Sequence, residues 1–373
     1  KRKVLRPTRE APPSGFWGRR MSRFLSERYR LLDAYVPGEQ PQDQAYIKRN
    51  TNESPYPPSP AVLRAVNREE AKNLRLYPDP ECGVLREKLA ECYGVTAEQV
   101  YIANGSDDIL NFAFLAFGGK GAVFPDITYG FYRVYGDLYG IDYTEIPLRA
   151  DFTVDGAAYE GTGKFTVLAN PNAPTGISMT PEKIERIAAS NPDSVVLVDE
   201  AYVDFGGESV LPLVEKYDNL LVVRTYSKSR CLAGARLGFA IGSRGLIGDL
   251  NKLKYSTNPY AINRLTLAAG AAALSDGDYY LGKCREIEKT RAYTEKRLKE
   301  LGFDVLPSSA NFVFAAHREV PGEELYRELK KRGVLVRHFS NSRIREFNRI
   351  TIGTRKQMDA LLRAVAAILE ERK

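Results

Sequence analysis

The chain has 373 residues, 43% of them hydrophobic and 27% charged, the composition of an ordinary globular protein long enough for two domains. No apolar run reaches the length of a membrane span, and no basic start, apolar core and small-residue cleavage site form a signal peptide. The net charge of +7 is concentrated: residues 1–20 hold seven basic side chains against Glu10, a net of +6, leaving +1 for the rest.

That distribution argues against a nucleic-acid-binding body, and the basic, Pro-containing stretch 1–20 is expected to be a flexible leader. Cys82, Cys92, Cys231 and Cys284 form no C-x-x-C pair, and His317 and His338 are the only histidines. Neither a metal site nor a disulfide framework is expected; reduced thiols and a cytoplasmic setting are.

Residues 21–60 read as an N-terminal arm. A short amphipathic stretch over 21–30 leads into 35–41, too rich in Pro and Gly for regular structure. In Pro55-Tyr56-Pro57-Pro58-Ser59-Pro60, four prolines in six positions impose extended geometry. Such an arm suits a chain that crosses a surface onto a partner subunit. Helices are expected over 60–72 and 83–93, on either side of Leu76-Tyr77-Pro78-Asp79-Pro80.

From residue 98 apolar runs at 100–103, 122–125, 144–147, 165–169, 195–198, 220–224 and 237–241 alternate with amphipathic stretches. Near-continuous apolar strands between helices predict an α/β fold, with a mostly parallel sheet covered on both faces in a large domain over 61–265. Beyond it, helices over 260–275, 278–301, 322–332 and 355–371, with strands over 303–306, 311–315, 334–336 and 349–352, predict a smaller α/β domain over 266–373.

Ligands of such sheets lie beyond the carboxyl ends of the strands, so the residues just after each apolar run carry the chemistry. Asn104-Gly105-Ser106-Asp107-Asp108 opens a helix whose backbone N–H groups can hold an anion, although Ser106 or Asp107 could equally be a plain cap. Tyr129 is either a core aromatic or a ring stacked on a flat ligand. Asn172 lies in a rigid Asn-Pro turn. Asp199 ends a buried strand, where a carboxylate needs a partner: an arginine, or a protonated heteroaromatic nitrogen with Tyr202 close by. The β-branched run at 222–225 delivers Lys228 between Ser227 and Ser229, with Arg236 eight residues on. An isolated Ser-Lys-Ser is commonly a surface turn. Buried, the lysine would become a neutral amine able to condense with an aldehyde, and Arg236 would suit a phosphate monoester. One ligand uses all of these groups together: a flat, phosphorylated, pyridine-type aldehyde, pyridoxal phosphate.

With these residues assembled, the chain resembles the fold-type-I pyridoxal-phosphate aminotransferases, most closely their histidinol-phosphate branch, over most of its length after Met21. The likeness is carried by the segments 35–41, 52–56, 104–108, 170–176, 198–205, 227–236 and 349–353, in this order and at these spacings. It implies a large domain with a seven-stranded, mostly parallel sheet and a smaller C-terminal domain. It also implies that Lys228 bonds to the cofactor aldehyde, Asp199 keeps the ring nitrogen protonated, Tyr202 donates to the ring hydroxyl and Tyr129 stacks on the ring. Ser106, Asp107, Ser227 and Arg236 would hold the cofactor phosphate, joined by Tyr77 from the neighbouring subunit of a homodimer with shared sites. The family carries Asn where this chain has Ala173, so Asn172 is the candidate for that contact. Arg349, with Arg337, would grip the acidic end of the substrate, and Tyr35, Asn52 and Tyr56 would line its other end.

The activity implied is transfer of an amino group between a small-molecule donor, histidinol phosphate, and a 2-oxo acid such as 2-oxoglutarate, in histidine biosynthesis. An aromatic amino-acid aminotransferase and a threonine-phosphate decarboxylase are alternatives on the same scaffold. A nicotinamide-dependent dehydrogenase is disfavoured because no G-x-G-x-x-G follows the early strands. A cofactor-sensing regulator would need a DNA-binding module, which the 20 residues ahead of Met21 cannot make. Neither a nucleic-acid nor a membrane partner is expected.

Overall fold

A computed structural model describes residues 25–26, 29–30, 32–33 and 35–372. The leader over 1–20 lies outside the described residues, as does most of the stretch over 21–30.

The arm contributes β1 (Ile47–Lys48), followed by α1 (Pro60–Ala65), α2 (Arg68–Lys72) and α3 (Gly83–Tyr93). One helix was expected over 60–72, and two are found. Asn67 turns extended between them, and its side chain accepts from the Glu70 N–H at 2.9 Å, capping the second. The alternating region then runs β2 (Val100–Ala103), α4 (Ser106–Phe117), β3 (Ala122–Pro125), α5 (Phe131–Tyr139), β4 (Tyr143–Ile146), β5 (Phe165–Ala169), α6 (Pro181–Ser190), β6 (Val196–Asp199), β7 (Leu220–Thr225) and β8 (Gly238–Gly242). Helices α7 (Arg244–Thr257), α8 (Arg264–Ser275) and α9 (Gly277–Glu300) follow. The chain closes with β9 (Phe303–Val305), β10 (Phe312–His317), α10 (Gly322–Lys331), β11 (Val334–Leu335), β12 (Arg337–His338), β13 (Phe347–Thr351) and α11 (Arg355–Glu370).

Seven strands form one sheet in the order β2-β8-β7-β6-β5-β3-β4. The pairs from β7 to β4 are parallel, while β8 runs antiparallel to both β7 and β2. Every residue of β2, β3, β5, β6, β7 and β8 is buried, as expected of strands covered on both faces, whereas β4 at the edge is half-buried. Alternation sorts the side chains: Val196, Val198, Leu220 and Val222 enter one core, and Leu197, Leu221 and Val223 the other. Arg224 is the charged exception within β7; its guanidinium reaches Glu200 at 2.8 Å and Asp204 at 3.1 Å.

The C-terminal strands form a second, antiparallel sheet, β12-β13-β10-β9. β1 pairs in parallel with β11, Ile47 opposite Val334, which ties the arm to this part of the chain. Among the described residues no helix is long and apolar enough to cross a membrane. Between the carboxyl ends of β3, β5, β6 and β7 on one side, and the arm with β12 and β13 on the other, lies a cleft of about 980 Å³.

Candidate active site

Asp199 leaves β6 almost fully buried, 5% exposed. Its Oδ2 accepts from the Tyr132 hydroxyl at 3.0 Å and its Oδ1 from the Ala201 N–H at 3.2 Å. An arginine was one of the partners the sequence allowed, but the buried Arg224 goes to Glu200 and Asp204 instead. Burial pushes the Asp199 carboxyl up to about 6, with Tyr132 and Ala201 holding it partway down. A carboxylate desolvated in this way, with no cation among the described residues paired to it, is suited to a positively charged ring nitrogen.

Lys228 follows β7 and lines the same cleft. Its Nζ donates to the Thr51 carbonyl of the arm at 3.2 Å. Burial, then the nearby Arg349, brings its amine down to about 8, against the opposing pull of Asp107 and Glu53. The surface-turn alternative fails. A substantial fraction of this amine is neutral near pH 7.5, which is the nucleophilic state.

The start of α4 makes an anion cradle. Gly105 occupies the cap position and no side chain caps the helix, so Ser106 and Asp107 are not plain caps. Arg236 stands over this turn, its Nη2 3.2 Å from Asp107 Oδ2 and its Nη1 3.4 Å from Ser227 Oγ. Two glycines make the approach possible. At Gly105, with φ +86°, a Cβ would lie 2.7 Å from Arg236 Nη2; at Gly238 it would lie 2.5 Å from the Ser106 N. The second Asp107 oxygen accepts from the Tyr129 hydroxyl at 2.8 Å, which sets that ring at the cleft wall.

The opposite end is built from β12 and β13, where Arg337 lies directly across from Arg349. Arg349 donates from Nη2 to the Asn50 carbonyl at 3.2 Å, while its Nε is buried without a partner. Arg337 donates to the Val36 and Pro37 carbonyls at 3.3 and 3.4 Å. Neither makes an ion pair with a carboxylate among the described residues. Burial lowers the Arg349 pKa; the neighbouring Tyr202 and Tyr35 oppose this and Arg337 adds to it. Tyr35 packs beside them, its ring stacked on Phe131 with centroids 4.1 Å apart.

Asn52 enters from the arm with φ 57° and donates from Nδ2 to the Tyr202 hydroxyl at 2.9 Å. Three expected contacts are not brought into the cleft of this chain. The Asn172 amide is consumed in tying its own loop to the segment after β3, accepting from Thr128 Oγ1 at 2.8 Å and donating to the Ile127 carbonyl and Thr175 Oγ1; Ala173 and Pro174 line the cleft in its place. Tyr56 lies under the Lys283 ammonium, 4.5 Å from ring centroid to Nζ. Tyr77 is 78% exposed and stacked on Tyr260. Tyr132, the hydrogen-bond donor to Asp199, was missed from the sequence. Its signal was there, one helical turn beyond Tyr129 at the start of α5.

The residues present fit pyridoxal phosphate on three counts: a buried carboxylate without a cation, a desolvated amine, and a glycine-floored helix start under an arginine. A family model for aminotransferases of class I and II matches residues 45–365. The chain is 50% identical over 353 residues to a histidinol-phosphate aminotransferase of Marinomonas sp., covering 93% of this chain and 100% of the relative. To the protein of that name from Brachyspira hyodysenteriae it is 47% identical, covering 94% and 100%. Among solved structures, histidinol-phosphate aminotransferase from Sinorhizobium meliloti in complex with pyridoxal-5′-phosphate superposes with a TM-score of 0.79. That match, at 24% identity over 88% of this chain and 93% of the other, speaks for the fold. The chain belongs to the class I and II aminotransferases, α/β enzymes that move amino groups with pyridoxal 5′-phosphate as cofactor.

Proposed function

We propose that this enzyme transfers the amino group of histidinol phosphate to 2-oxoglutarate, the reaction for which its relatives in Marinomonas and Brachyspira are named. The observation that carries the substrate assignment is the register of β12 and β13. Arg337 and Arg349 stand opposite each other on the ladder, no carboxylate among the described residues pairs with either, and Arg349 retains a buried, unpaired Nε. Like charges directly opposite across a ladder repel, and a doubly charged phosphate relieves that repulsion better than a single carboxylate does. Tyr35 and Asn52, beside the arginines, are suited to the rest of the donor.

When bound, pyridoxal phosphate supplies an aldehyde for the amino group and a ring that accepts electrons from a breaking bond. Ser106, Asp107, Ser227 and Arg236 would hold its phosphate through backbone N–H groups, hydroxyls and one guanidinium. Asp199 would keep the ring nitrogen charged, Tyr129 would cover the ring face, and Tyr202 would donate to the ring hydroxyl. Asn172 serves by bracing the loop that presents Ala173. Neutral Lys228 would take the proton from the amine-bearing carbon of the substrate and, as its conjugate acid, would release it at the cofactor's aldehyde carbon rather than at the carbon it came from.

The working form is a homodimer. Leu63, Leu74, Leu76, Tyr77 and Val84 leave a run of apolar side chains uncovered, which a second copy would bury. Tyr77, and Tyr56 on the Pro-rich arm, would then reach the neighbouring site. The unpaired cysteines agree with a cytoplasmic setting. The chain divides into an arm over 21–60, a cofactor domain over 61–265 and a small domain over 266–373.

The test is donor choice. Holoenzyme mixed with histidinol phosphate should lose the visible absorbance of its cofactor and regain it on addition of 2-oxoglutarate. Phenylalanine should leave the band in place, and threonine phosphate should release no carbon dioxide. Bleaching by phenylalanine alone, or decarboxylation of threonine phosphate, would replace this reading with one of its two rivals.

A further inference from the structure

Tyr202, Asn52 and Thr351 come from three different parts of the chain and meet in one chain of hydrogen bonds. The Asn52 backbone N–H donates to Thr351 Oγ1 at 3.0 Å, Thr351 Oγ1 donates to Asn52 Oδ1 at 2.9 Å, and Asn52 Nδ2 donates to the Tyr202 hydroxyl at 2.9 Å. Asn52 and Thr351 are each 1% exposed.

The direction of this chain follows from counting hydrogens. A backbone N–H can only donate, so Thr351 Oγ1 accepts from it and still has its own hydrogen to place. The Asn52 side chain is the partner within reach. If the amide were turned over, its NH₂ would face Thr351 and two donors would converge on one hydroxyl, stranding the threonine hydrogen in a buried site. With the amide as found, Oδ1 faces Thr351 and Nδ2 faces Tyr202. The tyrosine oxygen is therefore an acceptor on this side, and its own hydrogen must point elsewhere. Among the described residues no acceptor takes it, and Tyr202 lines the cleft.

We propose that Thr351 is a positioning residue: its hydroxyl locks Asn52 in the one orientation that makes Tyr202 donate into the cleft, to the ring hydroxyl of the cofactor. The inference rests on the assignment of Tyr202 under the proposed function and goes beyond it. It gives a physical role to a buried threonine two residues beyond Arg349 on β13, so the strand that seats the substrate anion also sets the donor at the cofactor. The arrangement matters more here than where an asparagine adjoins the ring, because Ala173 brings no side-chain donor to the cleft. Arg349, Asp199 and Asp107 act on Tyr202 from the surrounding elements, the Lys228 amine lies 5.8 Å from its ring centroid, and the titratable Tyr35, Tyr129 and Tyr132 also interact with it. All of these remain in the variants below.

The test uses holoenzyme and the pH titration of its visible cofactor band. A hydrogen bond donated to the ring oxygen stabilises the deprotonated form of the chromophore, so losing it moves the titration midpoint upward. Thr351→Val, which keeps shape and loses the hydroxyl, should raise the midpoint by about one pH unit and lower kcat about tenfold. KM for the amino donor should stay within about twofold. Thr351→Ser should restore the parental midpoint. Asn52→Asp, which can no longer donate to Tyr202, should raise the midpoint as well. In a Tyr202→Phe background, Thr351→Val should add nothing further, since the donor it orients is gone. An unshifted midpoint in well-folded Thr351→Val, or full additivity with Tyr202→Phe, overturns the proposal. Failure of the parent protein to develop any visible band with pyridoxal phosphate would instead count against the cofactor assignments beneath it.

Discussion

The two ends of the cleft both carry arginine, yet they are built in opposite ways. At the start of α4, Arg236 is already matched by Asp107 and the rest of the attraction comes from backbone N–H groups over Gly105. Charge there is largely balanced within the chain, and both partners of the pair are partly open to water. At the end made by β12 and β13, two arginines oppose each other, Arg349 is desolvated, and no carboxylate among the described residues pairs with either. On the function proposed, the first end is a preformed cradle for a ligand that stays, and the second holds repulsion that a dianion would relieve, which would make it an end that discriminates among ligands that come and go.

Lys228 lies between these ends, and replacing it gives the largest expected effect. Lys228→Arg keeps the charge but not a titratable amine, because a guanidinium stays protonated. Turnover should fall by at least about 10³-fold, the scale on which a positioned acid–base group contributes. Single-turnover absorbance should show the amino donor no longer converted. Half-reaction activity retained in this variant would mean that the proton is moved by another group.

The contrast between the ends is probed next by removing arginines one at a time. Arg349→Ala should lower kcat/KM for histidinol phosphate about 10²-fold, since two charge-assisted hydrogen bonds of about 1.5–3 kcal/mol are at stake and part of the loss is offset by relieved repulsion. Arg337→Ala should cost less, because Arg337 already satisfies two arm carbonyls. The cradle should be untouched, so the dissociation constant for pyridoxal phosphate should stay within about twofold in both variants. An equal loss of cofactor affinity would erase the distinction drawn between the ends.

Much of this site was legible before the fold was known, and the reason is the sheet. A buried parallel strand announces itself as an apolar run, and a polar residue immediately after it has few places to go except the cleft. Asp199 and Lys228 were singled out that way, as were Ser106 and Asp107 at the helix start, and all four line the cleft. What stayed hidden depended on register and side-chain direction. Arg337 and Arg349 could be singled out, but their direct opposition follows from the antiparallel pairing of β12 with β13, which sequence spacing does not fix. Asn172 was the natural candidate beside Ala173, yet its amide is spent on Thr128, Ile127 and Thr175, a demand visible only once the loop has closed. Tyr132 was missed for the opposite reason: a fully buried tyrosine reads as core until its hydroxyl is seen to need an acceptor. The break between α1 and α2 is a local cap that overrode a continuous helical pattern.

A smaller effect should come from outside the subunit. Tyr77→Phe removes one hydroxyl from an exposed ring, and its own fold gains or loses nothing by it. If that hydroxyl meets the cofactor phosphate in a neighbouring subunit, the cofactor dissociation constant should rise about tenfold, the cost of one hydrogen bond to a charged group. Sedimentation should still report a dimer. Unchanged cofactor affinity would confine the cradle to residues of a single chain.

The finest test of the comparison is the titration of Lys228 itself. With its amine brought down to about 8, the neutral fraction should rise about fivefold between pH 7 and pH 8, and capture of an aldehyde should rise in step. Pyridoxal is the suitable probe because it has no phosphate and leaves the cradle out of the measurement. Borohydride trapping followed by mass analysis of residue 228 reads the capture. Charges at both ends of the cleft act on this amine. Arg349 at one end lowers its pKa, while at the other Asp107 raises it and Arg236 offsets part of that, so Arg349→Ala should move the capture profile to higher pH and Asp107→Asn to lower pH. At pH 7 the first should slow capture and the second speed it, each by about threefold. An unshifted profile in both variants would mean that burial alone governs the lysine, and that the unequal charge of the two ends is not felt where the chemistry occurs.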